Sequence, residues 1–260
     1  MLYCLVVFVC GTSMAHAAPS VGFSTKVTGN TLTSATTPGG TTQVSGSTFL
    51  IYVTDPNQNI TVGDNKGNVY TQIGTTFAFG GTPSRVSRWM KQNGTGGAGH
   101  TITVTWTSGS ADPSVFFVEL KGVAAASLDS PASATGLDSA TPFTVSTAAP
   151  TAQASEIAIA FDGIDQGGII TRAESTGFSL VQEEQNGNAF WTGSVWSKVL
   201  SATGTVTPSF TDSLGDGVDR GLVIDTFKAS TAATGGRTLR LFQGFKLKIV
   251  GGKLKIMQSR

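Results

Sequence analysis

The chain has 260 residues, of which only 13% are charged and 33 are glycine, and its formal net charge is +1. Both cysteines, Cys4 and Cys10, stand at the extreme N-terminus, so the remainder has no thiol for a disulfide, a thiolate nucleophile or a zinc–thiolate site. Thr, Ser, Gly and Asn dominate the polar residues, but Phe, Trp, Val and Ile recur in strand-like runs, which excludes a disordered chain.

Residues 1–17 stand apart. Leu2 to Cys10 is an apolar run, and Ala15-His16-Ala17 follows the small-x-small pattern of a secretory cleavage site. The run is too short to anchor the chain in a bilayer, so no membrane anchor is expected. We read a signal peptide and a secreted, extracellular product. The alternative starts translation at Met14, with residues 1–13 an upstream extension of the frame and the product part of a phage virion.

Residues 18–121 carry strand signals. Phe49-Leu50-Ile51-Tyr52-Val53 ends at the turn Asp55-Pro56-Asn57, and Asp64-Asn65-Lys66-Gly67-Asn68 is a second turn leading into Val69-Tyr70. Ser84 to Lys91 is a strand holding Trp89, and Asn93 to Gly99 is a glycine-rich loop. In Thr101–Trp106 the residues Ile102, Val104 and Trp106 alternate with threonines, the mark of a strand with one buried and one wet face. Val115 to Leu120 is nearly all apolar and predicts a central strand. Residues 122–154, rich in Ala, Ser, Thr and Pro, predict a crossover with one strand near Phe143-Thr144-Val145.

Residues 155–228 echo the first region. Trp89 matches Trp196, Leu120 matches Phe227, and Leu50 and Tyr52 match Ile157 and Ile159, all at a spacing of 107, while Tyr70 matches Phe178 at 108. The fold expected over residues 18–228 is therefore all-β: an antiparallel double-sheet sandwich of jelly-roll type built from two similar halves, 18–121 and 155–228. One joint sandwich is favoured over two in series, because each half offers only four or five clear strands.

The tail, residues 229–260, differs in charge. Residues 1–230 hold ten Lys or Arg and sixteen acids (net −6), and residues 231–260 hold seven Lys or Arg and no acid (net +7). Alternation around Gly251-Gly252 predicts a β-hairpin. Phe245, Leu247, Ile249, Leu254 and Ile256 share one face, which is the expected docking surface for a protein partner or a second copy. The lysines share the other, and with no aromatic among them nucleic-acid binding is not expected.

Few residues suggest chemistry. His100 is the sole histidine after residue 17 and reads as a strand-start residue; no G-x-S-x-G elbow occurs. Glu119 and Asp225 lie within apolar runs, where a strand carboxylate can be a poised acid. No catalytic residue is assigned, and an enzyme is not expected. Asp212, Asp216 and Asp219 form a loose calcium loop, the one cofactor considered. Trp191, Tyr52 and Asn188 are the candidates for a surface-glycan platform.

The parts Asp64–Tyr70, Trp89, Gly97–Val104, Val118-Glu119-Leu120 and Ala202–Phe210 through Phe227-Lys228 together resemble a loosely defined group of secreted bacterial and phage β-sandwich surface domains. The resemblance covers residues 45–228 and implies a fold, with no catalytic residue to transfer. It points to a structural or decoration protein of a virion or cell surface. The alternatives are a secreted carbohydrate-binding, lectin-like module and a jelly-roll glycoside hydrolase.

Overall fold

The computed structural model describes residues 18–55, 59–79, 84–107, 112–129, 134–166, 169–184, 192–230, 245–250 and 253–258. Every regular element among them is a strand. The first half contains β1 (Ser20–Thr28), β2 (Ser34–Thr36), β3 (Ser45–Asp55), β4 (Ile60–Asp64), β5 (Thr71–Gln72), β6 (Phe77–Phe79), β7 (Ser84–Thr95), β8 (Ile102–Trp106) and β9 (Ser114–Lys121). The second contains β10 (Val123–Leu128), β11 (Ala134–Asp138), β12 (Phe143–Thr144), β13 (Glu156–Ile164), β14 (Arg172–Glu174), β15 (Ser179–Glu183), β16 (Thr192–Leu200), β17 (Ser209–Asp212) and β18 (Arg220–Ala229).

These strands form the antiparallel double-sheet sandwich of two similar halves. In the first half a large sheet runs β1-β9-β3-β7-β5, with β6 on β7, and a small sheet runs β2-β8-β4. The second half repeats the main order, β10-β18-β13-β16-β15 and β12-β17-β14, but its extra strand β11 pairs with β18, the counterpart of β9, whereas β6 pairs with β7. The order is that of a jelly roll, in which the chain wraps alternately between two sheets. The wrapping closes within each half, so no sheet mixes strands of the two. Residues 122–154, expected to hold one strand, hold three among the described residues: β10, β11 and β12. Their Ala-, Ser- and Thr-rich sequence hides them because β10 buries few of its residues.

The four sheets stack in layers around three cores. Leu50, Tyr52, Phe116 and Val118 of the first large sheet meet Ile157, Ile159, Phe161 and Phe227 of the second in the central core. On its other face the first large sheet packs Phe49, Ile51 and Phe117 against Ile102, Val104 and Trp106 of the small sheet. The second half does the same with Ala158, Ala160 and Trp196 against Phe143 and Phe210. This layering explains why Phe49–Val53 is apolar throughout and Val115–Leu120 is apolar but for Glu119: a strand covered on both faces has no wet side on which to alternate. Each large apolar side chain so buried stabilises the fold by about 1.5–3 kcal/mol.

A glycine seat helps the halves to mesh. Gly193, Gly163 and Gly221 stand side by side across β16, β13 and β18. The Phe79 ring of the first half lies over this seat, where a Cβ on Gly221 would come within 2.4 Å of it and one on Gly163 within 2.8 Å of the Thr54 methyl.

The tail is a separate compact unit from residues 15–231. It contains β19 (Phe245–Val250) paired antiparallel with β20 (Lys253–Gln258), as a hairpin. The register sets Leu247 opposite Ile256, Ile249 opposite Leu254 and Lys248 opposite Lys255.

Candidate functional site

The most chemically organised polar group lies in the first half, at the end of β4 and the start of β8. The Asp64 carboxylate caps the turn that follows β4: Oδ1 accepts from the backbone N–H of Lys66 at 3.0 Å and of Asn68 at 2.9 Å. Its Oδ2 accepts from Asn68 Nδ2 at 2.6 Å and from the Tyr70 hydroxyl at 2.8 Å, and it lies 2.9 Å from His100 Nε2. Burial alone would raise this carboxyl, but the hydrogen bonds from Asn68, His100 and Tyr70 outweigh it and hold it below its ordinary value. Tyr70 responds oppositely: burial, then the Asp64 charge, push its phenol upward.

His100 continues the chain of bonds. Its Nδ1 lies 2.9 Å from the Thr42 hydroxyl, which accepts in turn from the Gly97 N–H at 3.1 Å. With Asp64 ionised, Nε2 carries the proton and Nδ1 accepts from Thr42. Hydroxyl, imidazole and carboxylate thus stand in the order of a nucleophile relay. The surroundings give it another role. His100 is fully buried, with its ring against the edges of Phe49 at 4.8 Å and Phe117 at 5.1 Å. Thr42 is only 3% exposed, and one of its two lone pairs holds the glycine loop. The relay clamps residues 93–99 onto the sandwich. The sequence placed His100 correctly before its strand but gave no sign of Thr42, which lies 58 positions away. In the second half Glu174 caps the equivalent turn, accepting from the N–H groups of Thr176, Gly177 and Phe178 at 2.8–2.9 Å.

Several of the other buried charges are paired across strands. Arg88 of β7 donates from Nη1 to Asp225 of β18 at 2.6 Å, joining the two halves through the central core. Tyr52, an aromatic candidate for a glycan platform, is 1% exposed there, stacked on Phe161 at 5.0 Å with its hydroxyl 3.4 Å from Asp225. It belongs to the core because β3 is covered on both faces. Burial, followed by the Asp225 charge, raises its phenol. Trp191 and Asn188, the other two glycan candidates, lie outside the described residues. Glu119, a possible poised acid, accepts from Gln43 N–H at 2.6 Å and Ser47 Oγ at 2.7 Å. Lys26 of β1 reaches Glu184 of the second half at 2.9 Å.

Arginine also organises the loop considered for calcium. Asp212 receives Arg220 Nε at 2.7 Å on one oxygen and Nη2 at 2.9 Å on the other. The same guanidinium donates to the carbonyls of Val218 and Gly215, both at 2.7 Å, and lies 4.8 Å over the Phe143 ring. Arg220 is the cation of this loop. Asp216 points away, accepting from Thr141 N–H at 2.7 Å, and Asp219 is half-buried. A third network ties Arg172 to Asp162 at 2.8 Å and to Glu183 at 3.1 Å. Among the described residues no three His, Cys, Asp or Glu side chains could hold a metal ion together. Nor is any helix among them long and apolar enough to cross a membrane.

Comparison with known proteins adds no name to this geometry. No family model, no curated protein and no solved structure matches the chain.

Proposed function

We propose that this is a non-enzymatic structural or decoration protein of a phage virion or bacterial cell surface, docking or self-associating through its C-terminal hairpin. The observation that carries the reading is the use made of its ionisable groups. Arg88–Asp225, Lys26–Glu184, Arg172–Asp162, Arg220–Asp212 and the Thr42–His100–Asp64 relay all hold strands or loops in place. Ties of this kind suit a rigid building block better than a centre that must exchange protons with a substrate. The basic hairpin after residue 230 supplies a means of attachment: an isolated two-stranded hairpin is marginal in water and gains by covering its apolar residues.

The test compares the full chain with a chain ending at Ser230. Sedimentation velocity, with co-sedimentation on particles or envelopes from the producing cells, should show the truncated chain folded but monomeric and unattached. Equal oligomeric state and equal attachment of both chains would refute the docking role. N-terminal sequencing of native material decides the location: a start at Ala18 means export, and a start at Met14 or Ala15 means assembly inside the host.

A further inference from the structure

The two small sheets turn their outer faces to solvent at opposite sides of the layered body, and the outward-facing positions of their paired strands carry no charged side chain. On the first, Ser34, Thr105 and Thr61 form one rank across β2, β8 and β4, and Thr36, Thr103 and Gly63 form the next. On the second, Thr144 pairs with Ser209 and Ala173 with Thr211. Of the ionised residues on these strands, Asp64, Arg172 and Asp212 have side chains 0%, 1% and 0% exposed, and half-buried Glu174 turns its carboxylate to the N–H groups of the turn that follows β14.

Each face is grooved at the same place. Gly63 opposite Thr103 and Ala173 opposite Thr211 are equivalent positions, directly before the turn-capping residues Asp64 and Glu174, and both are the smallest side chains of their face. A groove of about 380 Å³ runs over Gly63 between Thr61, Asn65, Thr101, Thr103 and Thr105, with Val62 and Asp64 also in its lining. One of about 230 Å³ runs over Ala173 beside Thr171, Thr211 and Ser213, with Arg172 and Asp212 also in its lining. Hydroxyl ranks repeat about 4.8 Å apart across strands and roughly 6.7 Å along them. A threonine there offers a donor, an acceptor and a methyl group.

We propose that these faces are two equivalent binding faces for an uncharged polysaccharide chain. Charge complementarity sets the class, because a rank of neutral hydroxyls gives no ion pair to an anionic or cationic polymer and matches the alternating hydroxyls and C–H faces of a neutral glycan. Repetition along a groove suits a chain rather than one sugar. Two opposed faces make the molecule bivalent, so that it bridges chains. The inference does not rest on the particle reading above and uses none of Trp191, Tyr52 and Asn188.

The full chain would be run on native gels containing hydroxyethylcellulose, soluble starch, dextran, alginate or polygalacturonate. We expect retardation by at least one of the three neutral polymers. Gly63→Gln and Ala173→Gln each fill one groove, and a Cβ at Gly63 meets nothing within 4 Å, so the fold tolerates the change. Each single variant should still be retarded but no longer precipitate long chains. The double variant should lose at least ten-fold in affinity. Thr103→Val with Thr211→Val, close in shape, should weaken binding several-fold and decides the matter if the glutamine variants misfold. Absence of retardation by all three neutral polymers, retardation by the anionic polymers alone, or a folded double variant that binds as the parent does would overturn the proposal.

Discussion

Asp64 and Glu156 show how the same functional group, a carboxyl, is driven in opposite directions by its neighbours. Asp64 is held below its ordinary value by donors that outweigh its burial. Its stabilising contribution is present above the ordinary carboxylate range and is lost as pH falls through the lowered folded value. Asp212 behaves likewise: burial opposes ionisation, and Arg220 more than compensates. Glu156, at the start of β13, is raised by burial, a trend opposed by the Gln153 N–H and reinforced by the Asp129 charge. A raised carboxyl costs stability once pH exceeds its unfolded value, so Glu156→Gln should raise the melting temperature at pH 7. The gain should vanish near pH 4, where both states hold the proton more equally; thermal scans at the two values check the sign. Asp225→Ala should leave the buried Arg88 guanidinium without its partner and cost about 3–5 kcal/mol in urea unfolding. None of these ties was legible in the sequence. Arg88 and Asp225 are 137 positions apart and meet only because the two large sheets face each other, and Asp212 resembled a calcium ligand because a loop of aspartates and glycines carries the same letters whether it surrounds a metal or a guanidinium.

Strands were readable where burial differs between their faces or is complete on both. Ile102, Val104 and Trp106 of β8 gave a period of two because one side is wet, and β9 gave a run broken only by Glu119 because neither is. The strands β10 and β11 escaped notice for the reverse reason: with exposed Ala125 and Ala126 on an edge, nothing in the composition of β10 separates it from a linker, whereas β12 was marked by Phe143. The echo between Trp89 and Trp196 was sound, since both face the core under a small sheet. Its consequence, a complete jelly roll in each half, was out of reach while the second half lacked its first strands. The glycine seat of β13, β16 and β18 was likewise invisible, because a glycine in a strand has no pattern of its own. Gly221→Val should push Phe79 out of its seat and cost roughly 1–3 kcal/mol by overpacking, visible as a lower urea midpoint with an unchanged slope.

The whole body melts as one unit if the central core is as integral as its contents indicate. Leu50, Phe116 and Val118 share one core with Ile159 and Phe227 of the other half. Calorimetry on the full chain should therefore give a single transition for residues 18–228, with calorimetric and van't Hoff enthalpies in agreement. A chain of residues 18–121 alone should aggregate or remain partly folded, because the face that met the second half is then open to water. Two separate transitions would show instead that each jelly roll is stable by itself. The pairing of equivalent sheets has the geometry of a dimer whose subunits have been joined head to tail. In a true dimer such an interface is in equilibrium with free subunits and fails on dilution. Here the partner is always present at the effective concentration set by a one-residue link, Gly122, between β9 and β10. The assembled form therefore persists at a single copy per particle or per cell.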